Sequence, residues 1–136
     1  MRTTTLGQPT MRKSVLIVDD DRDIREVLAE TLEVRGFDVV TAANGADALA
    51  VLRDVGVRPS VILLDLMMPI MDGYGFLEQW RRDPALASIP LAIVTAGHGV
   101  DHARLGERLP IIAKPFNVPH LVRSIHSLCT EDAPSA

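Results

Sequence analysis

The chain has a single cysteine, Cys129, so no internal disulfide can form and a reducing compartment suits it. It also lacks any block of lysine and arginine, and its formal net charge is −4. Nucleic acid and anionic membranes are therefore not expected as partners, and no DNA-binding output module is expected in the chain. Long apolar runs are missing too. The longest, around Val61 to Ile70, is interrupted by Asp65 and Pro69 and falls short of the roughly 20 residues that cross a bilayer, so membrane insertion is not expected. The opening, Met1 to Thr10, has no apolar core of a secretory signal. Residues 1–12 read as a disordered lead, 13–130 as one domain and 131–136 as a frayed tail, in a cytoplasmic protein. Repeats of solenoid period and low-complexity tracts are absent.

What the chain does contain is a recurring unit, a short apolar run closed by a polar residue. Val15 to Val18 ends on Asp19 and Asp20, and Val61 to Leu64 ends on Asp65. Leu91 to Val94 ends on Thr95, and Ile111 to Ala113 on Lys114. Runs so uniformly apolar must be covered on both faces, as strands of a parallel sheet are. Ligands of such sheets bind outside the carboxyl ends of the strands, where these polar residues would meet in one crevice.

Helical spacing fills the intervals. Ile24, Val27, Leu28, Thr31, Leu32 and Val34 form one apolar face, closed by Gly36. Phe37 to Thr41 reads as the second strand, and Asn44 as the N-cap of a helix that Gly56 and Pro59 end. Asp72 and Gly73 open a third helix, with Phe76, Leu77 and Trp80 inward, that breaks at Asp83 and Pro84. The pattern weakens after Thr95, where only Val100, Ala103 and Leu105 offer an apolar face, so the fourth helix is expected to be short or irregular. Asn117 caps a last helix with Leu121, Val122, Ile125 and Leu128 inward. Strand alternating with helix throughout predicts an α/β domain, a parallel sheet with helices on both faces and right-handed crossovers.

Three carboxylates brought together repel one another, each pair by roughly 4 kcal/mol at 4 Å and an effective dielectric of 20. Such a cluster needs a cation. Hard oxygen ligands with room for water suit Mg²⁺, whose usual companion is a phosphoryl group. Lys114 adds a point charge for an anionic oxygen, Thr95 adds a hydroxyl donor, and Asp65, central in the sheet, is the candidate nucleophile.

Four motifs now stand in order: Val18-Asp19-Asp20-Asp21, Leu64 to Gly73 with Asp65 and Pro69, Val94-Thr95-Ala96, and Lys114-Pro115-Phe116. Together they resemble the receiver domain of two-component response regulators over about Lys13 to Leu128. The resemblance implies a flavodoxin-like (βα)5 fold with strand order 2-1-3-4-5. It also implies that Asp65 accepts a phosphoryl group from a phosphohistidine on a sensor histidine kinase or a histidine phosphotransfer protein. Asp20, Asp65 and the backbone carbonyl of Met67 would bind Mg²⁺ directly, with Asp19 assisting directly or through water. Thr95 and Lys114 would turn onto the phosphate, and the Lys114–Pro115 bond would be cis. The altered face of the fourth and fifth strands would then change affinity for a downstream protein, the chain being a monomer or weak dimer.

Two departures from the family pattern stand out. Ile111 replaces the aromatic residue usual three positions before the lysine, and the interval from Thr95 to Lys114, with Gly97 and Gly99, is shorter than is common. The alternative function is therefore an interaction module of the same fold whose output no longer depends on phosphorylation. An Asp-nucleophile phosphohydrolase is disfavoured because Met67 stands where that class carries its acid. Asp21 and Asp72 read as helix caps rather than metal ligands. His98, His102, His120 and His126 read as solvated, and Cys129 as a half-buried residue of the last helix.

Overall fold

A computed structural model describes residues 13–54, 57–96, 99–106 and 109–131. Five parallel strands form one sheet in the order β2-β1-β3-β4-β5, which is the expected order. They are β1 (Ser14–Val18), β2 (Asp38–Ala42), β3 (Val61–Leu64), β4 (Leu91–Thr95) and β5 (Ile111–Ala113). The helices are α1 (Arg22–Val34), α2 (Gly45–Leu52), α3 (Gly73–Arg82), α4 (Pro84–Ala87), α5 (His102–Leu105) and α6 (Val118–Glu131). The expected lead at 1–12 and most of the expected tail lie outside the described residues, as do Gly56, Gly97 and His98.

Alternation along the strands divides the core in two. Leu16, Val18, Ile62, Leu64 and Ile93 point to one face and pack with Ala48, Leu49, Phe76, Leu77 and Trp80 of α2 and α3. Val15, Ile17, Val61, Leu63 and Val94 point to the other, against Leu28 and Leu32 of α1 and Leu121 and Ile125 of α6. Successive strand residues face opposite ways, so an unbroken apolar run can serve two layers at once.

Local capping explains where the elements differ from the sequence reading. At the end of α1 the Gly36 amide donates to the Glu33 carbonyl and the Phe37 amide to the Leu32 carbonyl, a Schellman motif around Gly36 at φ +94°. Phe37 is thereby bound to the helix end and buried against Leu32, and β2 starts one residue later than expected. Within α1, Val27 and Val34 are 55% and 81% exposed and do not join the apolar face. They stand one heptad apart, off the edge of the buried arc of Ile24, Leu28 and Leu32. After the break at Asp83 the chain makes an unexpected further turn, α4, with Pro84 in its first turn and the Asp83 carboxylate accepting from the Ala85 amide at 3.0 Å. The irregular fourth helix of the sequence reading is α5, a single turn. Asn44, Asp72 and Asn117 cap α2, α3 and α6 as expected, each accepting a main-chain N–H.

Gly73 fixes how closely α3 approaches the end of β3. Its amide donates to the Leu66 carbonyl at 2.9 Å. A Cβ added there would lie 2.5 Å from the Asp65 carbonyl oxygen and 2.7 Å from Leu66 Cα, both backbone atoms that cannot swing away. Gly73→Ala is expected to destabilise the fold by about 2 kcal/mol or more, read as a lowered midpoint in urea unfolding.

Candidate functional site

Register sets the site. Val18 lies opposite Leu64, and beyond that rung the Asp65 amide donates to the Val18 carbonyl at 2.9 Å while the Asp19 amide donates to the Ala42 carbonyl at 3.1 Å. Thr95 pairs with Ala113, and the Lys114 amide donates to the Thr95 carbonyl at 2.8 Å. The polar residues that close four strands therefore leave the sheet side by side.

Their side chains converge. Single carboxylate oxygens of Asp19, Asp20 and Asp65 lie within 4.8 Å of one another. Lys114 Nζ donates to Asp19 Oδ2 at 2.7 Å and stands 3.6 Å from Asp65 Oδ2. The Thr95 hydroxyl lies close enough to the Asp65 carboxylate to favour its charged form, and the Met67 amide reaches Asp65 Oδ1 at 3.4 Å. Asp19, Asp65 and Thr95 are buried, whereas Asp20 is exposed at the mouth. The cis Lys114–Pro115 bond is also present.

Burial raises the pKa of Asp65, and the Asp19 carboxylate adds to the rise. Lys114, the Met67 amide and the Thr95 hydroxyl offset only part of it. Burial pulls Lys114 down, but the hydrogen bond and charge of Asp19, with a further contribution from Asp65, outweigh it and leave the ammonium above its ordinary value. The Lys114 ammonium thus pairs with two carboxylates of a cluster of three. The surplus negative charge and the all-oxygen donor set fit a hard divalent cation such as Mg²⁺.

Asp21 and Asp72 act as caps. Asp21 accepts from the amides of Asp23 and Ile24, and Asp72 from that of Gly75. His102, His120 and His126 are exposed, His126 with its ring 5.4 Å from Phe37, and Cys129 is more deeply buried than expected.

Two contributors escaped the sequence reading. Arg25 Nη1 donates to the Asp19 carbonyl at 2.9 Å, tying α1 to the acidic turn. Its place one turn into the helix that follows the acidic run was the available signal. Tyr74, the only tyrosine, accepts the Asp101 amide on its hydroxyl at 2.7 Å, and its ring carries the Arg104 guanidinium at 4.4 Å. It thereby fastens α5 to the start of α3. Tyr74→Phe removes the acceptor and is expected to cost about 1 kcal/mol, with faster hydrogen exchange confined to residues 101–105 as the measurement.

Known proteins resemble this chain in sequence and fold. The model of the response regulator receiver domain matches residues 15–126. The probable transcriptional regulator ycf27 of Porphyridium aerugineum is 33% identical over 120 residues, which cover 86% of this chain and 48% of that protein. The chain spans about half the length of the curated relatives it matches. The receiver domain of a signal transduction histidine kinase from Syntrophus aciditrophicus superposes with a TM-score of 0.81 at 28% identity, covering 91% of this chain and 95% of that one. The receiver domain of the sensor histidine kinase PA1611 from Pseudomonas aeruginosa PAO1, which has a magnesium ion coordinated in its active-site cleft, gives 0.78 at 25% identity, covering 88% and 99%. With the family model spanning most of the chain and the strand-end cluster in place, this protein belongs to the response regulator receiver domains of two-component systems.

Proposed function

We propose that this chain accepts a phosphoryl group on Asp65 from a phosphohistidine and signals by phosphorylation-dependent protein binding. The observation that carries the reading is Asp65 itself, a buried carboxylate with a hydroxyl, an ammonium and two further acids gathered on it. A carboxylate oxygen of Asp65 attacks phosphorus, the P–N bond breaks, the imidazole leaves with the bonding electron pair, and an acyl phosphate remains on Asp65. Lys114 and Thr95 hold the anionic oxygens of the group in transfer, and Arg25 keeps the acidic turn in place. Asp19, Asp20, Asp65 and the Met67 carbonyl would hold Mg²⁺, which would supply charge neutralisation to both the acid cluster and the phosphoryl group.

The donor is a sensor histidine kinase or a histidine phosphotransfer protein, and the chain is a signalling domain rather than a metabolic enzyme. Its net charge of −4 supports protein rather than nucleic acid as the direct contact. Among the described residues no helix is long and apolar enough to cross a membrane, and a cytoplasmic location accords with the donor chemistry. Intact-mass spectrometry after treatment with acetyl phosphate and Mg²⁺ tests the reading. One added phosphoryl group on the wild type and none on Asp65→Asn is the expected result, and an unmodified wild type refutes it.

A second reading draws on Ile111, 38% exposed on β5, and on the fastening of α5 to α3 by Tyr74. In it the output surface is fixed and the partner binds irrespective of phosphate. Equal binding of a downstream partner to wild type and Asp65→Asn, with and without phosphodonor, selects it.

A further inference from the structure

Among the described residues one non-glycine residue has positive φ, Ile70 at +68°. The Met71 amide donates back to the Pro69 carbonyl at 2.7 Å, closing a three-residue γ-turn with Ile70 at its centre. This form of the turn is rare and strained, and a β-branched residue is among the least suited to it. Its shoulders are held from outside: the Gly73 amide bonds the Leu66 carbonyl at 2.9 Å, and the Gly45 amide bonds the Met71 carbonyl at 2.8 Å. Leu66 and Met68 are buried beneath it. Ile70 itself is 84% exposed and gives almost nothing to the core, so folding offers no return for an isoleucine here. Met67, on the same loop, is 66% exposed.

This loop leaves the sheet directly after Asp65, at the edge that carries Asp19, Thr95 and Lys114. Asp65 is only 7% exposed. A protein that delivers a phosphoryl group to it must lower a histidine into the crevice, and its surrounding surface then meets the rim. The crevice groups are charged and attract in a salt-dependent, weakly directional way, whereas an apolar projection on the rim fixes register and excludes partners without a matching recess.

We propose that Ile70, with Met67, is a docking knob that fits an apolar recess beside the phosphohistidine of the donor protein and selects that donor. This rests on phosphoacceptance at Asp65. The test compares wild type, Ile70→Gly and Ile70→Leu with two kinds of phosphodonor: acetyl phosphate, and each sensor histidine kinase and histidine phosphotransfer protein of the source organism, purified and carrying labelled phosphohistidine.

Ile70→Gly relieves the positive φ, so its melting temperature is expected to equal or exceed that of the wild type, and labelling by acetyl phosphate is expected to be unchanged. From the donor protein that labels wild type fastest, transfer to Ile70→Gly is expected to slow by about ten-fold at sub-saturating concentration, the size of a single docking hot spot. Ile70→Leu, which keeps the apolar knob, is expected to stay close to wild type. Transfer to Ile70→Gly at the wild-type rate overturns the proposal. So does a failure of every kinase and every histidine phosphotransfer protein to label a wild type that acetyl phosphate does label. If acetyl phosphate labels nothing, phosphoacceptance at Asp65 falls first, and the knob falls with it.

Discussion

Asp65→Asn is expected to take up no phosphate and, without divalent cation at neutral pH, to melt at a higher temperature than the wild type. The amide keeps the shape of the side chain and removes a charge that the fold holds at a cost. Burial, with the Asp19 carboxylate next, raises the Asp65 pKa above 3.8. A carboxyl whose folded pKa exceeds its unfolded one favours the native state while protonated, below about pH 3.8, and this advantage disappears as pH rises through the higher folded value. The two proteins should therefore melt together in acid and separate as pH rises across that window. Mg²⁺ should narrow the gap by stabilising the wild type more than the variant, since only the wild type keeps all three carboxylates. A wild type that melts higher than Asp65→Asn at neutral pH without metal would refute this account of the site. Such a trade of stability for reactivity is common where charge is gathered for chemistry.

Lys114→Ala is expected to lose about 3 kcal/mol in urea unfolding at neutral pH, because it strands Asp19 and Asp65 in the crevice without their cation. The loss should shrink when Mg²⁺ is added and when pH is lowered far enough to protonate Asp65. It should also shrink at high pH. The Lys114 pKa is raised above 10.5, so its contribution is complete below that value and fades as pH climbs through the higher folded one. A variant that unfolds at the wild-type midpoint would show that the 2.7 Å contact with Asp19 contributes nothing. Phosphate uptake should fall as well, since the group that pairs with the incoming oxygens is gone.

Much of this was legible in the residues because the physics involved is periodic. Val61 to Leu64 could only be a strand covered on both faces, so Asp65 had to stand at its exit, and the same logic placed Asp19, Thr95 and Lys114. Asn44, Asp72 and Asn117 announced helix starts because short polar side chains satisfy amides that no helix can. What stayed hidden depends on the backbone path. The Schellman turn that takes Phe37 out of β2 is set by two carbonyls of α1, and the extra turn at Pro84 by one side chain of Asp83. Val27 and Val34 obey helical spacing yet lie beside the buried arc rather than within it. Tyr74 reaches Asp101 across 27 positions, and Ile70 reveals itself only through a dihedral angle.

The two-sided core has a bearing on how such a molecule diversifies. Leu64 and Leu63 are chain neighbours, yet they answer to different helical layers across a wall of backbone. Changes in bulk beneath α1 and α6 need not be matched beneath α2 and α3, and their energetic effects should sum for well-separated positions. Each flank can drift toward a new associate on its own schedule while the shared rim, where the acids sit, stays put.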